Sequence, residues 1–124
     1  MKNTIKEKSG VEISFFFKVL KNDVFHTSNA FDSDYTWDYK LEVSETDFKS
    51  ISEQIEKSKF YNPEGSYNFG EAIYDSLKVY NLKGYWVTGK NMYIFYPAKE
   101  QWAESTNIQV DKSKRTIKVN LVHL

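Results

Sequence analysis

The sequence predicts a single α+β domain, mainly an antiparallel β-sheet of about six to eight strands in hairpins and meanders, with one principal helix packed on one face. Three observations support this prediction: a strand pattern at Tyr35–Val43, a capped helical pattern directly after it at about residues 45–58, and short apolar runs separated by turn residues elsewhere. No repeat or linker divides the 124 residues. We therefore expect one domain over residues 1–124, with residues 1–10 as a polar, partly mobile lead-in.

The run Tyr35–Val43 alternates between apolar or aromatic residues and polar ones. Because every second side chain of a strand lies on the same face, this run predicts a half-buried antiparallel strand. The face expected to be buried carries Tyr35, Trp37, Tyr39, Leu41 and Val43. The opposite face carries Thr36, Asp38, Lys40 and Glu42.

A helix is expected to begin at about residue 45, because Ser44 is a good N-cap and Asp47 follows it three residues later, as in a capping box. Phe48, Ile51 and Ile55 follow at helical spacing. We expect these three side chains to cover the apolar face of the preceding strand.

The first part of the chain predicts a hairpin. Apolar side chains alternate with other residues over residues 11–20, which indicates a long strand. A turn is expected at Lys21-Asn22-Asp23, since Asn and Asp tolerate left-handed backbone geometry. A shorter strand over residues 24–28 then returns beside the first.

The second half predicts a short helix and several strands. The helix is expected over Glu71–Leu77, and one or two helical turns over residues 98–104 around Trp102. Strands joined by turns at Lys83-Gly84 and Gly89-Lys90 are expected over residues 78–82, 85–88 and 91–96. A last hairpin joins the strand of Ile108 and Val110, through a turn at residues 111–114, to residues 115–124.

Composition excludes several classes of site and segment. The chain has no cysteine, which excludes disulfides, thiolate metal sites and thiol nucleophiles. No stretch is long and apolar enough for a signal peptide or a membrane span. The chain as written is therefore expected to be cytoplasmic, and a periplasmic or secreted location would require a leader that has been removed.

Two segments approach known binding motifs without completing them. Gly84–Asn91 has the glycine and lysine spacing of a phosphate-binding loop, but Asn91 stands where Ser or Thr should hold magnesium, and the interior reads as a strand. A hairpin is the preferred interpretation. Asp32, Asp34 and Asp38 fall at calcium-loop positions, but Trp37 replaces the required glycine and Val43 the final glutamate. The preferred interpretation is that these acids are solvated turn residues, with an irregular cation site at Asp32 and Asp34 as the alternative. We therefore predict no metal site and no cofactor.

No catalytic motif accompanies the only two histidines, His26 and His123. A pair of carboxylates for hydrolysis stays as a third hypothesis, because sequence does not measure the separation of carboxylates. Nucleic-acid binding is not expected, since Lys112, Lys114, Arg115 and Lys118 form only a short basic segment in a chain of zero net charge.

Charge is unevenly distributed along the chain. Residues 32–75 hold eleven acids and four lysines, whereas residues 76–124 hold eight bases and three acids. The preferred interpretation is that the two regions are neighbours in the sheet and neutralise each other. The alternative is an acidic surface shaped for a basic partner.

We therefore expect a non-enzymatic protein-binding module, most concretely a bacterial inhibitor or immunity-type protein that neutralises a toxin or an enzyme. The expected partner-binding residues are Asp32, Asp34, Asp38, Glu42 and Glu45. The alternative is a domain that binds a small ligand or a carbohydrate. Its aromatic pocket, which could equally be a protein-contact patch, would comprise Tyr61, Tyr67, Phe69 and Trp102.

Overall fold

A computed structural model describes residues 2–14, 17–26, 35–64, 72–98 and 104–123. These residues form, in order, α1 (Lys2–Ser9), β1 (Phe17–His26), β2 (Tyr35–Val43), α2 (Glu45–Glu56), α3 (Ala72–Val79), β3 (Gly84–Gly89), β4 (Met92–Pro97), β5 (Glu104–Asp111) and β6 (Thr116–His123). The six strands form one sheet in the order β1-β2-β6-β5-β4-β3, and each neighbouring pair is antiparallel. The predicted α+β fold is confirmed.

The core lies between one face of the sheet and the helices α1 and α2. Leu41 of β2 and Ile55 of α2 are fully buried there, together with Ile51. The predicted alternation of β2 is confirmed, because Tyr39, Leu41 and Val43 are buried and Trp37 packs against the same cluster. We call this side of the sheet the covered face.

The start of α2 follows the predicted cap. The Ser44 hydroxyl oxygen accepts a hydrogen bond from the Asp47 backbone N–H at 3.2 Å. The Asp47 carboxylate accepts from the Ser14 hydroxyl at 2.5 Å. This side chain therefore ties α2 to the segment before β1.

The N-terminal region differs from the prediction. Residues 2–9 form a helix where a lead-in was expected, and Ile5 of that helix is 1% exposed in the core. Val11 and Ile13 are also buried, but residues 11–14 form no strand, because Gln54 of α2 exchanges two hydrogen bonds with the Glu12 backbone, at 2.8 and 2.9 Å. A single apolar residue among polar ones gave too weak a pattern to predict α1.

The turn predicted at Lys21-Asn22-Asp23 is also wrong. These residues lie inside β1, where they pair with Lys40, Tyr39 and Asp38 of β2. The strand absorbs one extra residue, Leu20, as a bulge between Val19 and Lys21. Pairing along the whole of β2 outweighs the local preference of Asn22 and Asp23 for a turn.

A smaller cluster lies on the other face of the sheet, at its β3 and β4 end. Ile73 and Leu77 of α3 pack there with Tyr85 and Val87 of β3. The short helix was predicted, but the strand expected over residues 78–82 was wrong, because the helix continues to Val79. The helical turns expected over residues 98–104 fall mostly outside the described residues, and Glu104 already begins β5.

The segment Gly84–Asn91 forms β3 and the turn into β4, so the hairpin interpretation of this segment is confirmed. A side chain at Gly84 would place its Cβ atom 2.3 Å from the Tyr96 carbonyl oxygen, so this position requires glycine. Asn91 adopts a positive φ of 55°, which this residue type tolerates in a tight turn.

The two edges of the sheet differ. At the β3 edge, the Asn62 N–H donates to the Trp86 carbonyl at 2.9 Å, and the Asn62 carbonyl accepts from the Thr88 N–H at 3.0 Å. At the β1 edge, no described residue pairs with the outer side of the strand. No described helix is long and apolar enough to cross a membrane.

Candidate functional site: the open face of the sheet

Opposite the covered face, the side chains of β1, β2, β6 and β5 form a broad polar surface, which we call the open face. None of the described helices packs on it, since α1 and α2 lie on the covered face and α3 contacts only the β3 and β4 end. The alternation that buries Leu41, Ile117 and Ile108 turns the intervening polar residues to this side. The polar character of the open face therefore follows from the alternation of apolar and polar residues along these strands.

Charged side chains on the open face form rows that run across the strands. Directly opposed residues of neighbouring strands share a face and lie close together. The middle row contains Lys21, Lys40, Lys118 and Gln109. The rows on its two sides contain Asp23, Asp38, Asn120 and Asn107, and Lys18, Glu42, Thr116 and Asp111.

The row of three lysines is electrostatically unfavourable by itself, because like charges directly opposite each other destabilise a sheet. The acidic groups beside it offset this repulsion. The Lys21 ammonium lies 3.8 Å from the carboxylates of both Asp23 and Asp38. The Asn120 side-chain amide also donates a hydrogen bond to the Asp38 carboxylate.

A shallow cavity of about 210 Å³ lies at the centre of the open face. It is lined only by polar side chains, namely Lys21, Asp38, Asn107, Gln109, Lys118 and Asn120. These groups offer ammonium and amide donors together with carboxylate and amide acceptors. The cavity can thus bind a polar side chain or a polar ligand group of either charge.

The expected acidic site lies only partly within the described residues. Asp38 and Glu42 lie on the open face, with lysines beside them. Glu45 is exposed in the first turn of α2, which packs on the covered face. Asp32 and Asp34 lie outside the described residues. Because β2 lies beside β6, the acidic middle and the basic end of the chain are neighbours in the sheet, as expected. Opposite charges do not pair directly between these two strands, since Asp38 and Glu42 lie opposite Asn120 and Thr116, and Lys40 lies opposite Lys118.

The predicted aromatic pocket is also only partly described. The Tyr61 hydroxyl shares a hydrogen bond with the Thr88 hydroxyl, and its ring lies edge-on to Tyr93 with centroids 6.3 Å apart. Tyr61 packs against the main core, which gives it a structural role. The other members, Tyr67, Phe69 and Trp102, lie outside the described residues.

Sequence reasoning missed five of the six cavity residues as candidates, namely Lys21, Asn107, Gln109, Lys118 and Asn120. A signal was present for the four on β5 and β6, since each alternates with a buried residue, whereas Lys21 was expected in a turn. What was missing was the strand order. Asp38 and Asn120 are 82 residues apart in sequence and become neighbours only because β2 pairs with β6.

A second, larger cavity of about 570 Å³ lies between α1, the end of α2 and the start of β3. Its lining includes Lys6, Lys57, Lys59 and Lys83, with Trp86 at its wall. The Trp86 indole nitrogen is buried and has no hydrogen-bond partner in the part of the chain that the structure describes. Of the carboxylate residues, only Glu7 lines this cavity, so lysines predominate among its charged residues, although Lys6 also forms an ion pair with Glu12 at 2.9 Å.

The two histidines lie at one end of the sheet, on either side of Tyr35. The Tyr35 ring stacks on His123 with centroids 5.2 Å apart, and its centroid lies 6.4 Å from that of His26. The three residues are directly opposed on β1, β2 and β6. The two imidazoles are thus brought near each other with an aromatic ring between them.

Burial raises the pKa of three tyrosines, Tyr39, Tyr85 and Tyr93. The largest shift is at Tyr93, whose pKa rises to about 12 mainly because of burial, and also because its hydroxyl donates to the Glu56 carboxylate at 2.8 Å. Tyr39 and Tyr93 belong to the core of the covered face, and Tyr85 belongs to the smaller cluster under α3.

Within the described residues, no three His, Asp or Glu side chains are gathered closely enough to hold a metal ion. Comparison of this chain with models of protein families, with curated proteins and with solved structures gives no match.

Proposed function

We propose that this chain is a non-enzymatic protein-binding module that docks a folded protein on its open face. The observation that carries the proposal is the row of Lys21, Lys40 and Lys118, held between rows that contain Asp23, Asp38 and Glu42. Fixed strands hold these charges, so little conformational entropy of the backbone is lost when a partner binds.

The pattern supports a partner that carries both signs of charge. Four lysines and four carboxylates share the open face: Lys18, Lys21, Lys40, Lys118, Asp23, Asp38, Glu42 and Asp111. A partner with an acidic stripe over the lysine row and basic groups beside it would complement this surface. Such complementarity favours fast association and selects one orientation of the partner.

The most concrete form of this function is a bacterial inhibitor or immunity-type protein that covers a toxin or an enzyme. The sequence suggested a partner with a basic surface. We now propose a partner surface of mixed charge, because lysines lie between the described acids. A broad surface spanning four strands supports the covering of a partner's site better than the capture of a short peptide.

The test is affinity capture from the native organism at low and high salt, with each captured protein then purified and its affinity measured. Lys40→Glu and Lys118→Glu should each weaken binding of a specific partner by about tenfold or more, since each reverses one charge in the row. Lys49→Glu, on the exposed side of α2, is the matched control and should leave the affinity unchanged. Equal affinities for all three variants would contradict the proposal.

A second function, binding of a small anionic ligand, is favoured by the cavity lined by Lys6, Lys57, Lys59 and Lys83. It is the form of the small-ligand and carbohydrate alternative that the described residues support, with sulfated or phosphorylated sugars as natural probes. Binding should change Trp86 fluorescence and raise the melting temperature. Lys57→Ala should reduce both responses, whereas Lys49→Ala should not, and no response to these probes would exclude this function.

A further inference from the structure

The outer edge of β1 has the features of a protein interface. Nine of its ten residues are exposed, and no described residue pairs with its outer side. Four of the exposed residues are large and apolar: Val19, Leu20, Val24 and Phe25, with Phe25 56% exposed. An unpaired edge with exposed apolar side chains is a template for pairing with another strand.

The sequence of this edge is complementary to itself. The central residue of this edge is Asn22, which stands between Lys21 and Asp23 and thus between opposite charges. Two apolar residues follow outward on each side, Leu20 and Val19 on one side and Val24 and Phe25 on the other. We propose that β1 pairs antiparallel with β1 of a second copy of this chain, with Asn22 opposite Asn22. Lys21 then lies opposite the partner's Asp23, and this pair occurs twice.

The charges select this register. A shift of the pairing by two residues in one direction places Lys21 opposite Lys21, and a shift in the other direction places Asp23 opposite Asp23. Like charges directly opposite each other disfavour both alternatives, whereas opposite charges favour the central register. Lys21 and Asp23 therefore favour the central register and also disfavour the two shifted registers.

The faces of the two copies also match. Lys21 and Asp23 both lie on the open face, because they pair with Lys40 and Asp38 of β2. A twofold axis perpendicular to the sheet at Asn22 keeps the open faces of both copies on the same side. Lys21 is half exposed and lies 3.8 Å from Asp23 of its own copy, so its ammonium can turn toward the second copy.

The bulge at Leu20 restricts regular pairing to the centre of the strand. The interface is accordingly small, and we expect a reversible dimer that forms at high micromolar concentration, since stable complexes bury more surface than a short strand pair provides. Edge pairing joins the two six-stranded sheets into one continuous sheet.

The experiment is sedimentation velocity of the whole chain over a range from about 5 µM to about 1 mM, the interval in which weak interfaces dissociate. The wild type should shift from monomer to dimer. Lys21→Asp, which makes both inner positions acidic, and Asp23→Lys, which makes both basic, should each remain monomeric. An equimolar mixture of these two variants should form a heterodimer, because the acidic edge then faces the basic one.

The double variant Lys21→Asp/Asp23→Lys exchanges the two charges and should recover the homodimer. Lys78→Asp, an exposed lysine of α3, is the control and should dimerise like the wild type. Circular dichroism shows whether each variant is folded, and recovery by the mixture and the double variant separates loss of the interface from loss of the fold. A wild type that stays monomeric at every concentration, or single variants that dimerise like it, would overturn the proposal.

Discussion

The two faces of the sheet use the same strands in different ways. On the covered face, Leu41 and Ile117 are at most 1% exposed and pack under α1 and α2. On the open face, the neighbouring residues Lys40 and Lys118 lie opposite each other despite their like charge. Buried apolar contacts are thus concentrated on one side and charged groups on the other, so mutations on the two faces should differ in their effect on stability.

The largest expected effect is on the covered face. Leu41→Ala should lower the free energy of unfolding by about 2–5 kcal/mol, because it leaves a cavity at a fully buried position. Lys40→Ala, the adjacent residue on the open face, should change it by no more than about 0.5 kcal/mol. Urea denaturation of the two variants gives the comparison directly, and similar losses in both would contradict the division between the faces.

The next effect is a loss of stability at high pH that comes from the covered face. The pKa of Tyr93 is raised from 10 to about 12 in the folded chain, so the stabilisation is fully present below pH 10 and is lost as pH rises toward 12. Its magnitude is about 2–3 kcal/mol, at 1.36 kcal/mol for each unit of pKa. Denaturation at intervals between pH 9 and 12 measures the loss, and Tyr93→Phe should flatten this part of the profile.

A smaller effect is expected at the cap of the helix that covers the sheet. Ser44→Ala should cost about 1 kcal/mol, because the Asp47 backbone N–H loses its acceptor. Thr46→Ala, in the exposed first turn, should be neutral or slightly stabilising. Thermal unfolding gives the melting temperatures of both variants. An unchanged melting temperature for Ser44→Ala would show that the stability of the fold does not depend on this cap.

The smallest effect on stability is expected from the lysine row itself. Lys40→Gln removes the central charge and should raise stability by up to about 0.5 kcal/mol at low salt, with less gain at high salt. Paired denaturation curves at the two salt concentrations test this. A clear loss of stability would mean that the lysine row supports the fold, which would count against its proposed role in binding.

A feature of the fold was predicted correctly where the residues that determine it lie close together in the sequence. The strand at Tyr35–Val43 and the helix after Ser44 depend on alternation, helical spacing and a cap, all visible within about ten residues. The helix at Lys2–Ser9 and the continuation of β1 through residues 21–23 depend on distant partners, namely the core around Ile5 and the strand β2. These features could not be predicted from neighbours in sequence.

The open face shows the same limit. Asp38 was selected as a candidate from its own strand, but the residues that share its cavity come from β1, β5 and β6. Each of those strands carries the right alternation, and only the order β1-β2-β6-β5 brings them together. A site built across strands therefore requires the register of the sheet, which short-range patterns do not contain.

The bridge at Asn62 limits how far copies of this chain can assemble. It occupies the Thr88 N–H and the Trp86 carbonyl at the outer side of β3, so the centre of this edge is covered, whereas no described residue pairs with the outer side of β1. A strand that pairs only with its own symmetry mate uses up the edge that no described residue covers in each copy. Assembly through β1 would then stop at two subunits, and growth into fibrils by repeated edge addition would be blocked.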